Sequence, residues 1–231
     1  ALAIPPRAGG MNGFSFGMAI LGLALLVAIF GPSFAPHDPL TQELASRNAP
    51  PDATHWFGYD HLGRDVLARL VAGTRISLAV ALGATLLAML LGAGLGLAAE
   101  ALGRWPSFLV FGAFDMVRAL PSILLALTLM VALGIGIIPL IIALGVAYAP
   151  HMALVARAAW RRESATGYVA AARVMGAAPL ATLWRHVLPN IAGALVTQAA
   201  IIMPRAITTE SVLSFFGLGV SPETPSWGRM I

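Results

Sequence analysis

Three stretches of this chain, residues 13–35, 76–99 and 137–156, contain no charged side chain, and each is long enough to cross a bilayer as a helix. About 20 helical residues rise roughly 30 Å, the thickness of the hydrocarbon layer. Two further stretches of similar length, residues 107–133 and 191–216, carry Asp115 with Arg118 and Arg205 with Glu210 inside them. The core helices of soluble proteins show apolar runs of only about 10–14 residues. Repeated uncharged stretches of span length therefore exclude a soluble helical domain. Composition agrees, with 58% hydrophobic and 10% charged residues, where a soluble domain averages about a quarter charged. The expected fold is all-α, a polytopic transmembrane helix bundle with five spans in this sequence.

The chain has no cysteine, which removes disulfides and thiol chemistry, and all of its 14 basic residues are arginine. A standard phosphate-binding loop needs a lysine, so this chain cannot carry one. If ATP is used, another subunit hydrolyses it. The pI near 10.6 does not argue for nucleic acid, because membrane proteins leave their excess basic residues on the cytoplasmic side. Arg157, Arg161, Arg162, Arg173 and Arg185 face a single acid, Glu163, between residues 157 and 189. Residues 36–75 hold four arginines against Asp38, Glu43, Asp52, Asp60 and Asp65. The first segment is expected in the cytoplasm and the second outside. The division that follows is a cytoplasmic N-terminal segment 1–12, a first span 13–35, a periplasmic loop 36–75 and a core of 76–231 containing a cytoplasmic loop 160–189. Residues 13–35 are read as a span rather than a cleaved leader, because the run is long and lacks a plain small-residue cleavage site.

Residues 36–65 are rich in Pro, His and Asp and read as an ordered irregular loop. Val66, Leu67, Leu70 and Val71 then recur at helical spacing opposite Arg64, Asp65 and Arg69, the pattern of an amphipathic interfacial helix feeding the second span. Gly92 and Gly96 form a GxxxG pair, expected to serve helix packing. Pro121 should kink the third span. In the cytoplasmic loop, residues 168–175 favour helix, Gly176 breaks it, and a second short helix over 180–187 is expected to stop at Pro189.

That loop resembles the cytoplasmic signature of permeases of ATP-binding-cassette importers: Glu-Ala-Ala, three residues, Gly and, further on, Leu-Pro. Ala171, Ala172, Gly176, Leu188 and Pro189 stand in that register, with Ala170 where the family usually has Glu. HWFGYDHLGRDVLARLVAGTRISL, Asp115 with Leu120-Pro121-Ser122, YVAAARVMGAAPLATLWRHVLPN and ESVLSFFGLGVSPETPSWGRMI follow in the order seen in the second, C-type permease of the dipeptide, oligopeptide and nickel branch.

The resemblance implies a type I importer permease with six spans in the native chain, the last beyond Ile231. It implies half of a translocation pathway for di- and oligopeptides, or alternatively for nickel or a metal chelate. It implies as partners a second permease in a pseudo-twofold heterodimer, two cytoplasmic ATPase subunits holding ATP and Mg, and an extracytoplasmic substrate-binding protein. The implied location is the bacterial inner membrane, multi-pass, with a cytoplasmic N-terminus. Tyr168, Ala170, Ala171, Ala172, Arg173, Gly176, Arg185, Leu188 and Pro189 would form the coupling helix and its frame, seated on the ATPase. With Ala170 in place of Glu, docking would rest on shape and on the arginines.

A charge in hydrocarbon costs about 2.5–3.5 kcal/mol on insertion scales, so Asp115, Arg118, Arg205 and Glu210 should face protein or water. Asp115 and Arg118, three apart, can pair. These four are candidates for the substrate path, or else packing residues. His37, His55 and His61 with Asp38, Asp60 and Asp65 offer metal-ligand chemistry, but their spacing fits no compact site, so no metal ligand is assigned. His151, beside Pro150, is expected to be a packed residue. The rival class is a proton-coupled secondary transporter using Asp115, His151 and Glu210, which leaves the Ala-Ala-x3-Gly knob without a purpose. No HExxH motif and no nucleophile beside a base is found, so the chain is expected to be a non-catalytic subunit without a cofactor of its own.

Overall fold

The computed structural model describes residues 13–35, 37–221 and 223–230; the segment 1–12 and the side chain of Arg173 lie outside the described residues. The chain divides into two compact units, residues 1–76 and 77–231. Among the described residues every regular element is helical, apart from one isolated bridge between Tyr59 and Asp65.

In the first unit, helix α1 (Gly13–Phe34) leaves most of its apolar side chains exposed, as a helix bathed in lipid requires. The loop after it carries one short 3₁₀ turn, Leu44–Ser46, and ends where α2 (Val66–Ala88) begins. The interfacial helix expected here is not a separate element. Its turns open α2, which continues through a π-helical segment, Met89–Leu95, and α3 (Gly96–Leu102) as one 37-residue helix. The polar face expected outside is also the buried one: Arg69 is 2% exposed, and Arg64 and Asp65 are buried with it. Ion pairing explains the inversion. Asp60 lies 2.8 Å from Arg64 Nε and 3.5 Å from Arg69 Nε, so the charges neutralise one another inside the loop.

The second unit is built around α6 (Ile137–Ser164), whose buried face is mostly Ala, Gly and other small residues. In lipid there is no hydrophobic drive between helices, so close backbone approach and dispersion must hold them. A side chain at Gly83 would meet Ile141, one at Gly145 would meet Leu87, and one at Gly96 would reach Ala153. At Gly92 the approach is closest, since an added Cβ would sit 2.1 Å from the Ala149 carbonyl oxygen. Partner numbers rise together, so the long helix containing α2 and α3 runs parallel to α6. The offset between partners shortens by one residue across Met89–Leu95. An i→i+5 turn accommodates one extra residue in just this way, which keeps glycine against α6 on both sides of it.

Two parallel helices need a return crossing between them. It is supplied by α4 (Arg104–Arg118) and α5 (Ser122–Leu133), bent by 90° at the break that contains Pro121. The proline fits the expected kink, and the chain turns more sharply because the residue before Pro is also driven out of the α region. Among the described residues four helices are long and apolar enough to span a membrane, and five if the bent pair is one span. Next come α7 (Gly167–Val174), a short α8 (Pro179–Thr182) and, through a second π-helical segment at Leu183–Val187, α9 (Leu188–Phe215). The expected stop at Pro189 does not occur. Residues 179–215 form one continuous helix, and the proline, with no amide to donate, directly follows the π-helical segment, in which the Leu188 amide donates to the Leu183 carbonyl. Tyr148 of α6 meets Arg205 and Thr209 of α9, while Gly136 bonds to Gly219, so α9 runs antiparallel to α6.

Gly92→Ala forces a methyl group against a backbone carbonyl that cannot move aside. Overpacking of this kind costs about 1–3 kcal/mol. The thermal midpoint in detergent should fall for Gly92→Ala and hold for Gly94→Ala, where nothing lies within 4 Å. Equal midpoints would contradict the seam.

Candidate functional site

At the end of the bundle where α3 and α6 finish, Glu100 organises a polar cluster. Its Oε1 accepts from Arg157 Nε at 2.7 Å and from Ser107 Oγ at 2.6 Å, with Arg161 Nη2 at 3.6 Å. The Arg157 guanidinium also sits 4.0 Å over the Phe111 ring. Together these tie α3, α4 and α6 where the loop 160–189 leaves the bundle.

Helix α7 is fastened to both neighbours by Tyr168. The phenol donates to the Glu163 carboxylate at the end of α6 and accepts from Asn190 Nδ2 at 2.8 Å in the first turn of α9. Asn190 Nδ2 also donates to the His186 carbonyl at 2.7 Å. The hydrogen bond to Glu163, helped by desolvation, raises the Tyr168 pKa, so the phenol keeps its proton. At its other end α7 closes in a Schellman motif. The Ala177 amide donates to the Ala172 carbonyl at 3.0 Å, and Gly176 takes φ +82°. The Ala-x3-Gly spacing is the distance between those two positions. Val169 and Ala172 pack inward while Ala170 and Ala171 face out, and the tip presents Val174 (89% exposed) and Met175 (81%). Arg185 and Pro189 are exposed, and Leu188 is half-buried.

A groove of about 570 Å³ lies between α6 and α9, lined by Tyr148, Ala200, Ile201, Pro204, Arg205, Thr208 and Thr209. The Tyr148 hydroxyl lies 2.7 Å from Thr209 Oγ1, and Pro204 has no amide to offer the Ala200 carbonyl. The His151 ring packs edge-on against Tyr148. Arg118 Nη1 lies 3.2 Å from Asp115 Oδ1, and both side chains are largely exposed. Arg205 thus lines the groove, while Arg118 and Asp115 hold each other on α4. Glu210 stands apart from them. It is fully buried, with Oε1 accepting from Ser214 at 2.8 Å and Ser226 at 2.9 Å and Oε2 from Ser77 at 3.4 Å. The Trp227 amide donates to Ser77 Oγ at 3.1 Å, so Glu210 pins the segment after α9 to the body of the unit.

In the loop of the first unit the structure gathers three of the side chains whose spacing in the sequence fits no compact site. His37, His55 and Asp65 place one ligand atom each within 4.8 Å of one another, while Asp60 is taken by arginines and His61 is exposed. Burial pushes the Asp60 carboxyl up, but the Arg64 and Leu62 amides and the Arg64 guanidinium hold it below its ordinary value.

Comparison with known proteins follows this architecture. The family described as binding-protein-dependent transport system inner membrane component matches residues 91–231, and the N-terminal TM domain of oligopeptide transport permease C matches residues 13–51. The chain belongs to the first of these families. It is 35% identical over 214 residues to the oligopeptide transport system permease protein OppC of Bacillus subtilis, covering 93% of this chain and 70% of that protein. The dipeptide transport system permease protein DppC of the same organism is 37% identical over 93% of this chain and 67% of its own length. The di/tripeptide transport system permease protein DppC of Pseudomonas aeruginosa is 36% identical over 93% and 73%.

The chain is therefore a multi-pass membrane permease subunit of a transporter that includes other subunits, and a non-catalytic one. Glu100, Glu163 and Asn190 were not singled out from the sequence of this permease. Glu100 and Glu163 were legible as the acids interrupting otherwise basic or apolar surroundings. Glu100→Ala leaves the Arg157 guanidinium and the Ser107 hydroxyl without their acceptor. Losing hydrogen bonds to a charged group costs about 1.5–3 kcal/mol, so the purified permease should melt earlier, and Glu100→Gln should recover part of the loss. An unchanged midpoint would contradict the role given to Glu100.

Proposed function

We propose that this permease forms half of a translocation pathway for di- and oligopeptides in the bacterial inner membrane. In this reading a second, related permease faces it across a pseudo-twofold axis. An external substrate-binding protein delivers the peptide, and two cytoplasmic ATPase subunits, which hold ATP and Mg, drive the cycle. One observation carries the reading: relatives matched across 93% of the chain bear peptide-permease names.

The local chemistry is consistent with it. A peptide carries a carboxylate, an ammonium group and backbone amides, and Arg205, Tyr148 and the threonines of α9, with Arg118 and Asp115 on α4, offer partners for each. Glu210 is left out of the path, because its oxygens are used by three serines. The exposed apolar tip of α7, fixed by Gly176 and framed by Tyr168, Arg185 and Pro189, is the surface offered to the ATPase. The arginines of residues 157–189 keep that side in the cytoplasm, which puts the N-terminus there as well when five spans alternate.

The assembled transporter in lipid vesicles should hydrolyse ATP faster with peptide-loaded binding protein than with empty protein, and take up labelled peptide. Arg205→Leu should lower uptake about tenfold, a loss of about 1.4 kcal/mol, with assembly and basal hydrolysis retained. Uptake driven by a proton gradient without ATPase subunits would refute the proposal.

Topology has its own check, made simple by the absence of cysteine. Ala45→Cys should react with an impermeant maleimide on intact spheroplasts, and Ala178→Cys only after permeabilisation. The reverse pattern would invert the orientation.

A further inference from the structure

The loop that joins α1 to α2 brings together two imidazoles and a carboxylate that no part of the transport reading uses. Asp65 divides its oxygens between two tasks. Its Oδ1 accepts the Ala68 amide at 2.7 Å and caps α2. Its Oδ2 turns the other way and lies 3.2 Å from His37 Nδ1 and 3.7 Å from His55 Nε2. The two imidazole rings stack with centroids 4.1 Å apart and planes 22° apart, so both present an edge nitrogen to the same carboxylate oxygen. Ligand bonds of about 2.0–2.1 Å in a tetrahedral set leave donor atoms about 3.3 Å apart. The two separations from Asp65 Oδ2 lie on either side of that value, and all three donor atoms lie within 4.8 Å of one another.

Hydrogen bonding within the triad does not account for the approach. His37 Nδ1 is buried and makes no hydrogen bond, although Asp65 Oδ2 is close, because the angle is wrong for one. A lone pair aimed at a cation between the three groups is satisfied where a proton shared by two of them is not. His55 is held from behind: its Nδ1 lies 2.8 Å from the Tyr59 hydroxyl, 3.0 Å from Thr54 Oγ1 and 3.5 Å from Asp52 Oδ1, which leaves Nε2 for the cavity. A carboxylate behind an imidazole is how proteins orient a metal-binding histidine. The cavity in front, about 250 Å³, is also lined by Asp38 and Glu43.

We propose that His37 Nδ1, His55 Nε2 and Asp65 Oδ2 form a binding site for one divalent transition cation of the zinc type, with Asp52 orienting His55. Two imidazoles and a carboxylate suit such an ion better than Mg²⁺ or Ca²⁺, which prefer all-oxygen shells. The cation is a clip rather than a transported ion. It would join His37, three residues beyond the end of α1, to the cap of α2 and so close the loop between them, which adds its binding free energy to the folded state.

The test uses the full chain in its assembled transporter, stripped of metal by chelation and titrated with Co²⁺ and then Zn²⁺. One Co²⁺ per chain should bind, give the visible absorption of a nitrogen- and oxygen-ligated ion, and be displaced by Zn²⁺. His37→Ala and His55→Ala should abolish that absorption. Asp52→Ala should weaken binding about 10–100-fold, and His61→Ala should change nothing. Asp65→Asn keeps an acceptor for the Ala68 amide, so it should fold with an unchanged metal-free midpoint yet lose the rise in midpoint that Zn²⁺ gives the unmodified chain. Absence of saturable Co²⁺ binding, or binding that survives in the His37→Ala, His55→Ala double variant, would overturn the proposal.

Discussion

The contact between Gly92 and the Ala149 carbonyl sets the geometry of the second unit. Once the long helix containing α2 and α3 lies against α6 at that distance, the two must run parallel, and the chain between them has to cross back. The bent pair α4 and α5 and the antiparallel α9 then occupy the remaining sides of α6. Small residues are the cause at each step, because in lipid two helices adhere only as well as their surfaces fit. The π-helical segment Met89–Leu95 preserves that fit, since without its extra residue Gly83 and Gly92 could not both face α6.

Three buried or part-buried acids follow one rule: each is answered by more than one partner, some near and some distant in sequence. Glu210 has serines at 77, 214 and 226, and Glu100 has Ser107 and Arg157. Asp60 has Arg64 and Arg69. An unanswered charge in a low-dielectric interior costs several kcal/mol, so these clusters mark where elements are locked to one another. Arg118, Asp115 and Arg205 differ in being exposed on the single chain. The distinction separates locking residues from those available to something outside the chain.

The spans were legible because hydropathy is a local property, and the fold class followed from five uncharged or nearly uncharged runs. Gly176 was legible because the Schellman motif has fixed spacing. Pro189 was misjudged because the same residue ends one helix and is welcome in the first turn of the next, and only the π-helical segment before it decides which. Pairing of Glu210 with serines up to 133 residues away has no local signature. The convergence of His37, His55 and Asp65 was hidden for another reason. It depends on turns at Asp52, Gly58 and Gly63, two of them with positive φ, which fold an aperiodic loop back on itself.

The continuity of residues 179–215 has a mechanical side. Asn190, which holds Tyr168, and Arg205, which lines the groove, stand on the same helix about 22 Å apart along its axis. No loop or hinge intervenes until Pro204. In the coupling proposed above, a displacement of α7 passed to α9 by the Tyr168–Asn190 hydrogen bond would travel on to Arg205 as the swing of a stiff lever. The proline beside Arg205 is the one joint at which that swing can be turned into a change of groove width.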